Sequence, residues 1–183
     1  MANKFGQVLK KGVFAGKPVV IRTFGLNEDP RKLMAFINSI VSEGARIGLV
    51  RKVTLKQEKE WVSEVTKSTR KGQMVQMLAE SGGRIVGSGS LRKRFQASGH
   101  VGEFGISVSR EFRRSGLATA IFQGLVKVGR GMGLSIVKSS YFSDNSASEA
   151  FHRKLGFKKV GVLPKGGKFG KKYVDEVIVY KEV

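Results

Sequence analysis

The stretch FGISVSREFRRSGLA, residues 104–118, decides the expected fold of this chain. Its first half alternates apolar residues with small or polar ones, which is typical of a β-strand, here Val101–Ser109. After Ser115 the apolar residues recur every three or four positions up to about residue 130, which predicts a helix. The sequence therefore predicts a strand that turns directly into a helix near Gly116, as in α/β folds.

The turn at the centre of this stretch has the features of an anion-binding site. Backbone amides at the start of a helix, with the positive end of the helix dipole behind them, bind phosphate oxygens. Gly116 and Ala118 leave the approach to these amides open, and two arginines add positive charge. The predicted phosphate cradle comprises Arg113, Arg114, Ser115, Gly116, Leu117 and Ala118. The alternative is an ordinary strand-to-helix loop with a glycine, which needs no ligand. Neither a P-loop nor a three-glycine dinucleotide fingerprint is present.

Further elements are predicted on both sides of this turn. Two capped amphipathic helices begin after Asp29 and Thr54, and a hairpin of two strands follows at residues 73–91. Downstream, a helix capped by Asn145 lies between strands at 134–141 and 157–163, and a last strand spans 173–180. This order predicts a single α/β domain over residues 1–183, with helices covering the sheet and a βαβαβ second half. Residues 1–17 are expected to add a strand or hairpin, and residues 165–172 a flexible basic loop.

The composition is strongly basic, with 34 Lys and Arg against 14 Asp and Glu, a formal charge of +20. Such a field attracts polyanions, so association with nucleic acid or the ribosome is possible, although a solvated basic surface explains the charge equally well. There are no cysteines and only two histidines, so no metal site is expected. No apolar segment approaches the length of a membrane span, and the start of the chain lacks the apolar middle of a signal peptide, so a cytoplasmic protein without membrane contact is expected.

A second motif lies downstream of the turn. The stretch NSASEAFHRKLGF, residues 145–157, begins with the Asn that caps a helix and ends in Leu-Gly-Phe. With the first motif it resembles the GNAT superfamily of N-acetyltransferases, whose pattern Gln/Arg-x-x-Gly-x-Gly/Ala is filled here by Arg113, Gly116 and Ala118. The resemblance is strongest from Glu103 to Phe157. It implies a GNAT-like, mixed but mostly antiparallel sheet flanked by helices, with acetyl-CoA as the acetyl donor.

The resemblance also implies which residues form the site. Contacts with acetyl-CoA are implied for Ile106, Ser107, Val108, the phosphate cradle and Asn145. Glu103 resembles the strand glutamate that acts as a base in some of these enzymes, and a backbone amide near Val108 would stabilise the oxyanion. Many family members carry a Tyr seven residues after the Asn to protonate the leaving thiolate, and His152 stands there in this chain. As alternatives, Glu103 can be a surface ion-pair partner and His152 a packing residue.

Two functions remain open at this point. One is an N-acetyltransferase in which an amine of a peptide, amino acid or small molecule directly attacks the thioester. The other is a degenerate, non-catalytic GNAT-fold module that binds coenzyme A, or holds nucleic acid or the ribosome through its basic surface. The positive field favours an acidic acceptor slightly over a polyamine. A homodimer is also possible.

Overall fold

Residues 4–183 are described in the computed structural model, as eight strands, four α-helices and two short 3₁₀ turns. The strands are β1 (Val8–Phe14), β2 (Lys17–Thr23), β3 (Met74–Ser81), β4 (Arg84–Lys93), β5 (Val101–Val108), β6 (Ile136–Phe142), β7 (Lys158–Phe169) and β8 (Lys172–Glu182). The helices are α1 (Pro30–Ser42), α2 (Leu55–Arg70), α3 (Leu117–Gly131) and α4 (Ser146–Lys154). The 3₁₀ turns are Gln96–Ser98 and Arg110–Phe112.

The strands form one sheet in the order β1-β2-β3-β4-β5-β6-β8-β7. All neighbouring strands are antiparallel except β5 and β6, which are parallel because α3 connects them. The predicted mixed, mostly antiparallel sheet flanked by helices is therefore confirmed. Its second half follows the predicted βαβαβ order, with β8 inserted between β6 and β7.

The first two helices begin where the sequence predicts. The Asp29 side chain accepts a hydrogen bond from the Arg31 amide, and Pro30 occupies the first turn of α1. At α2, the Thr54 hydroxyl accepts from the Gln57 amide while the Gln57 side chain accepts from the Thr54 amide, a complete capping box. Both helices cover the same face of the sheet, over β3 and β4.

The opposite face packs against α3 at unusually close range. A Cβ added to Gly87 would lie 2.9 Å from the Ile121 side chain, and one added to Gly89 would lie 2.8 Å from it. The glycines of β4 therefore let α3 rest almost directly on the strand backbone. This contact fixes the amino terminus of α3 at the end of β5. No helix in residues 4–183 is long and apolar enough to cross a membrane.

One region differs from the expectation. Residues 165–172 were predicted to form a flexible loop, but β7 continues to Phe169 and pairs with β8, with an irregularity between Leu163 and Gly167. A Cβ on Gly167 would come within 2.5 Å of the Phe142 ring. Gly167 is therefore required by this close approach to the ring, and the strand continues through a stretch whose glycines resemble a loop.

Candidate functional site

The two parallel strands at the centre of the sheet separate partway along their length. Within the described chain, β5 and β6 pair only at their amino-terminal ends, up to Glu103 opposite Lys138. At the next position the Phe104 carbonyl accepts a hydrogen bond from the Ser139 hydroxyl at 3.2 Å, where a continued ladder would supply a backbone amide. The rest of β5 therefore borders a gap that opens toward the carboxyl ends of both strands.

Peptide groups of β5 face this gap at every second residue. The Ser109 amide donates to the Val86 carbonyl at 2.9 Å, so the odd-numbered residues at this end of β5 bond to β4. By the alternation of an antiparallel ladder, Ile106 and Val108 direct their peptide groups away from β4, into the gap. Ser107 instead directs its peptide group toward β4. Of these three predicted cofactor residues, two therefore present backbone groups to the gap.

The predicted phosphate cradle lies at the end of the gap and has the backbone shape of an anion site. Gly116 is the N-cap of α3 at a φ of 87°, and no side chain caps the helix. Arg114 is also left-handed, at a φ of 60°, so two left-handed residues flank Ser115 and turn successive amides to one side. The Ser115 hydroxyl bonds within the turn, to the Phe112 carbonyl at 2.6 Å. The uncapped amides of α3 and this turn fit a phosphate group.

Arg113 connects the turn to two other elements. Its Nε donates to the Val108 carbonyl at 3.0 Å, and its Nη2 lies 2.6 Å from Oε2 of Glu43, the C-cap residue of α1. The guanidinium therefore orients the last peptide group of β5 as well as carrying charge. Arg114 has no ion pair among the residues described.

Asn145 and His152 both belong to α4 but have different surroundings. Asn145 is the N-cap, as predicted, and its Oδ1 accepts from the Ser148 amide at 3.1 Å. His152 is only 4% exposed. Its Nδ1 lies 2.8 Å from the Ser148 carbonyl, which can only accept, so Nδ1 carries the proton. Its Nε2 lies 2.9 Å from the Ser139 hydroxyl, and in the neutral ring it shares the single proton of that hydroxyl with the Phe104 carbonyl.

Burial lowers the pKa of His152, although the bond to the Ser148 carbonyl opposes that change. The ring is therefore neutral near pH 7, with no proton on Nε2. It is enclosed by the aromatic side chains of Phe104, Tyr141, Phe151 and Phe157. This arrangement favours a role in fixing α4 against β6, and through Ser139 in holding the point where β5 and β6 separate.

Tyr141 is a titratable residue beside His152 to which no sequence pattern pointed. Its ring stacks on His152 with the centroids 5.3 Å apart. Burial, with a smaller contribution from Glu149, raises the pKa of Tyr141, so its hydroxyl stays protonated. The alternation of β6 could have indicated its face but not its contact with α4.

Glu103 stands where the paired part of β5 ends. Its side chain projects from the sheet face opposite α3 and is 52% exposed. The nearest cations are Arg94, 3.6 Å away, and Lys138, 4.0 Å away. The carboxylate is thus beside the gap and open to solvent.

A short segment after α1, here named the bridge segment (residues 43–46), lies across the mouth of the gap. At one end Glu43 pairs with Arg113 of the phosphate cradle. At the other end the Arg46 side chain pairs with Asp144, between β6 and α4, and the Arg46 carbonyl lies 3.5 Å from the side-chain Nδ2 of Asn145. No local sequence pattern indicates this role, because the partners are distant in the chain. Among the described residues no group of three or more His, Cys, Asp or Glu could hold a metal ion.

Comparison with known proteins gives a consistent result. Residues 42–157 match the acetyltransferase (GNAT) family. An L-methionine sulfoximine/L-methionine sulfone acetyltransferase of Pseudomonas aeruginosa is 27% identical over 154 residues, covering 82% of this chain and 87% of that protein. The ribosomal-protein-S5-alanine acetyltransferase of Vibrio fischeri superposes with a TM-score of 0.81 at 16% identity, covering 95% of this chain and 97% of that one. A phosphinothricin acetyltransferase from Sinorhizobium meliloti, solved in complex with AcCoA, gives 0.77 at 18% identity, covering 90% and 88%.

Proposed function

This chain belongs to the GNAT acetyltransferase family, and from that premise we propose that it transfers the acetyl group of acetyl-CoA to the primary amine of a small α-amino acid. The observation that carries the proposal is the gap between β5 and β6, which leads to the uncapped amino terminus of α3. The choice of acceptor is supported by the relative from Pseudomonas aeruginosa, whose named acceptors are derivatives of L-methionine. A peptide amino terminus is the nearest alternative acceptor.

The donor fits the site in two places. The cradle amides around Gly116 would hold its pyrophosphate, since two left-handed residues and an uncapped helix leave those amides available. The peptide groups of Ile106, together with the Val108 carbonyl, which can accept a second hydrogen bond, would bond to amide groups of its pantetheine arm. When bound, acetyl-CoA supplies a thioester carbonyl that is ready for attack by an amine.

The residues of the chain then stabilise and orient the reaction. The Val108 amide faces the gap and is the proposed oxyanion donor, an interaction whose loss elsewhere costs roughly 100- to 1000-fold in rate. Arg113 holds the carbonyl of the same residue at 3.0 Å, which restricts the rotation of that part of the strand. Val108 is therefore positioned before any substrate binds.

Glu103 is the proposed base. An α-amino group has an ordinary pKa of about 8, so it is mostly protonated at neutral pH and must lose a proton before it attacks. Glu103 can take up this proton through a chain of waters, because its carboxylate is exposed beside the gap but lies five residues of extended strand, roughly 16 Å, from Val108. His152 as the acid for the thiolate also stays a prediction. Its neutral, buried ring supports a positioning role more than proton donation.

The test is release of thiol from acetyl-CoA with a panel of amines, comparing the wild type with Glu103→Gln. We expect the substitution to lower kcat/KM at pH 7 by about 100-fold or more, and less at high pH where the amine deprotonates unaided. Glu60→Gln, an exposed change on α2, is the matched control and should behave like the wild type. Equal rates for Glu103→Gln at every pH would reject the base assignment. Coenzyme A binding without turnover of any amine would instead favour the non-catalytic module.

A further inference from the structure

We infer that Arg46 selects the acceptor by binding its carboxylate, so that an α-amino acid presents its amine to the gap. The inference rests on the proposed function and names a residue to which no sequence motif points. It follows from the position, the rigidity and the unused donors of this one side chain.

The position of Arg46 follows from the bridge segment. Glu43 is fixed to Arg113 on the β5 side of the gap, and Arg46 is fixed to Asp144 on the β6 side. Three peptide units extend at most about 10 Å, so the segment must cross the mouth of the gap by a short path. Arg46 therefore lies on the β6 side of the gap, whereas the phosphate cradle lies on the β5 side.

The side chain is held in one orientation by three contacts. Its Nε lies 3.2 and 3.0 Å from the two carboxylate oxygens of Asp144. Its guanidinium stacks over the ring of Phe169 at 4.4 Å, and that ring packs edge-on against Phe142. Because the guanidinium is already ordered, the binding of a ligand costs little further side-chain entropy of Arg46.

The two terminal nitrogens of Arg46 remain available. Only its Nε makes a side-chain hydrogen bond within residues 4–183, and the side chain is 30% exposed. A guanidinium has five N–H donors in a planar fork, and its paired donors match the two oxygens of a carboxylate. Four donors of Arg46 can thus serve a ligand while the fifth keeps the side chain in place.

The neighbouring charges leave this end of the gap positive. Asp144 is shared between Arg46 and Lys172, whose Nζ lies 3.4 Å from the carboxylate. Two cations against one anion attract a carboxylate, and the aromatic ring of Phe169 gives the guanidinium a dry face on one side. An α-amino acid bound by its carboxylate carries its amine on the adjacent carbon, which suits transfer to that amine.

The experiment compares L-methionine sulfone with its carboxamide, which keeps the amine and side chain but lacks the negative charge. Thiol release is measured for the wild type, Arg46→Met, Arg46→Lys and the control Arg51→Met, an exposed arginine of the same loop. We expect the wild type and Arg51→Met to prefer the acid by about 10- to 100-fold in kcat/KM. In Arg46→Met this preference should fall to about one while the rate with the carboxamide is kept, and Arg46→Lys should retain part of it.

Three results would overturn the inference: a wild type that does not distinguish acid from carboxamide, an unchanged preference in Arg46→Met, or a loss of coenzyme A affinity as large as the loss of acceptor affinity. The last would make Arg46 a residue for the donor. If the wild type releases no thiol with any amine of the panel, the proposed function fails separately. In that case calorimetry with L-methionine sulfone, on protein saturated with coenzyme A, tests the role of Arg46 in binding the acceptor. Binding by the wild type and Arg51→Met that is lost in Arg46→Met supports the inference. No binding by the wild type rejects it.

Discussion

Replacing Gly116 with alanine separates the role of the phosphate cradle from its contribution to stability. At a φ of 87° a residue with a Cβ is strained, at a cost of roughly 1–2 kcal/mol. No protein atom lies within 4 Å of the added Cβ, so the substitution creates no clash inside the protein. For a chain of this size we expect the Tm to fall by about 2–8 °C.

The effect on coenzyme A should be larger. The new methyl group and any relaxation of the strained turn displace amides from the pyrophosphate, and each charge-assisted hydrogen bond is worth about 1.5–3 kcal/mol. Losing one raises the Kd by about 10- to 150-fold. Isothermal titration calorimetry with coenzyme A measures this directly, below the melting transition of the variant.

The matched control is Gly133→Ala, at the other end of α3. Gly133 is also left-handed, with a φ of 80°, and its Cβ would meet only the end of the Lys93 side chain at 4.0 Å. It should therefore lose similar stability with no change in coenzyme A affinity. If Gly116→Ala binds coenzyme A as tightly as Gly133→Ala does, the cradle assignment is wrong.

Further predictions concern the sheet beside the gap. Ser139→Ala removes the one hydroxyl proton that the neutral imidazole and the Phe104 carbonyl share, so we expect about 1–3 kcal/mol lower stability by urea titration, whereas exposed Ser140→Ala should change little. Gly89→Ala forces α3 away from β4 and should cost about 1–3 kcal/mol, while Gly161→Ala, with open space around its Cβ, serves as the control. Because burial holds the folded-state pKa of His152 below its ordinary 6.5, unfolding takes up a proton and stability should decline as the pH falls below about 6.5. His152→Gln should flatten that decline, and an unchanged slope would contradict the buried neutral ring.

Elements governed by neighbours in the chain were predictable from the sequence. The capping box at Thr54, the N-cap at Asn145 and the strand-to-helix turn at Gly116 all depend on contacts within a few residues. Their residue types therefore indicate the structure directly. The same holds for the alternation along β5, which correctly separated the face of Glu103 from that of Phe104.

Features that depend on distant partners were not predictable. Arg46 and Asp144 are 98 positions apart, and Glu43 and Arg113 are 70 apart. Neither pair leaves a local pattern, so the bridge segment becomes visible only in three dimensions. The glycines after Lys165 resembled a flexible loop, because their close contacts with β8 and β6 cannot be inferred from composition alone.

The separation of β5 from β6 also bears on how long the protein survives without its substrate. A sheet interrupted in its middle has a seam along which local opening is easiest. A donor whose amides bond to Ile106 and Val108 would close that seam, and a ligand at 100 times its Kd adds about 2.7 kcal/mol to the stability of the folded state. The abundance of the enzyme in a cell would then follow the supply of its own donor, because the unliganded form is cleared faster by proteases.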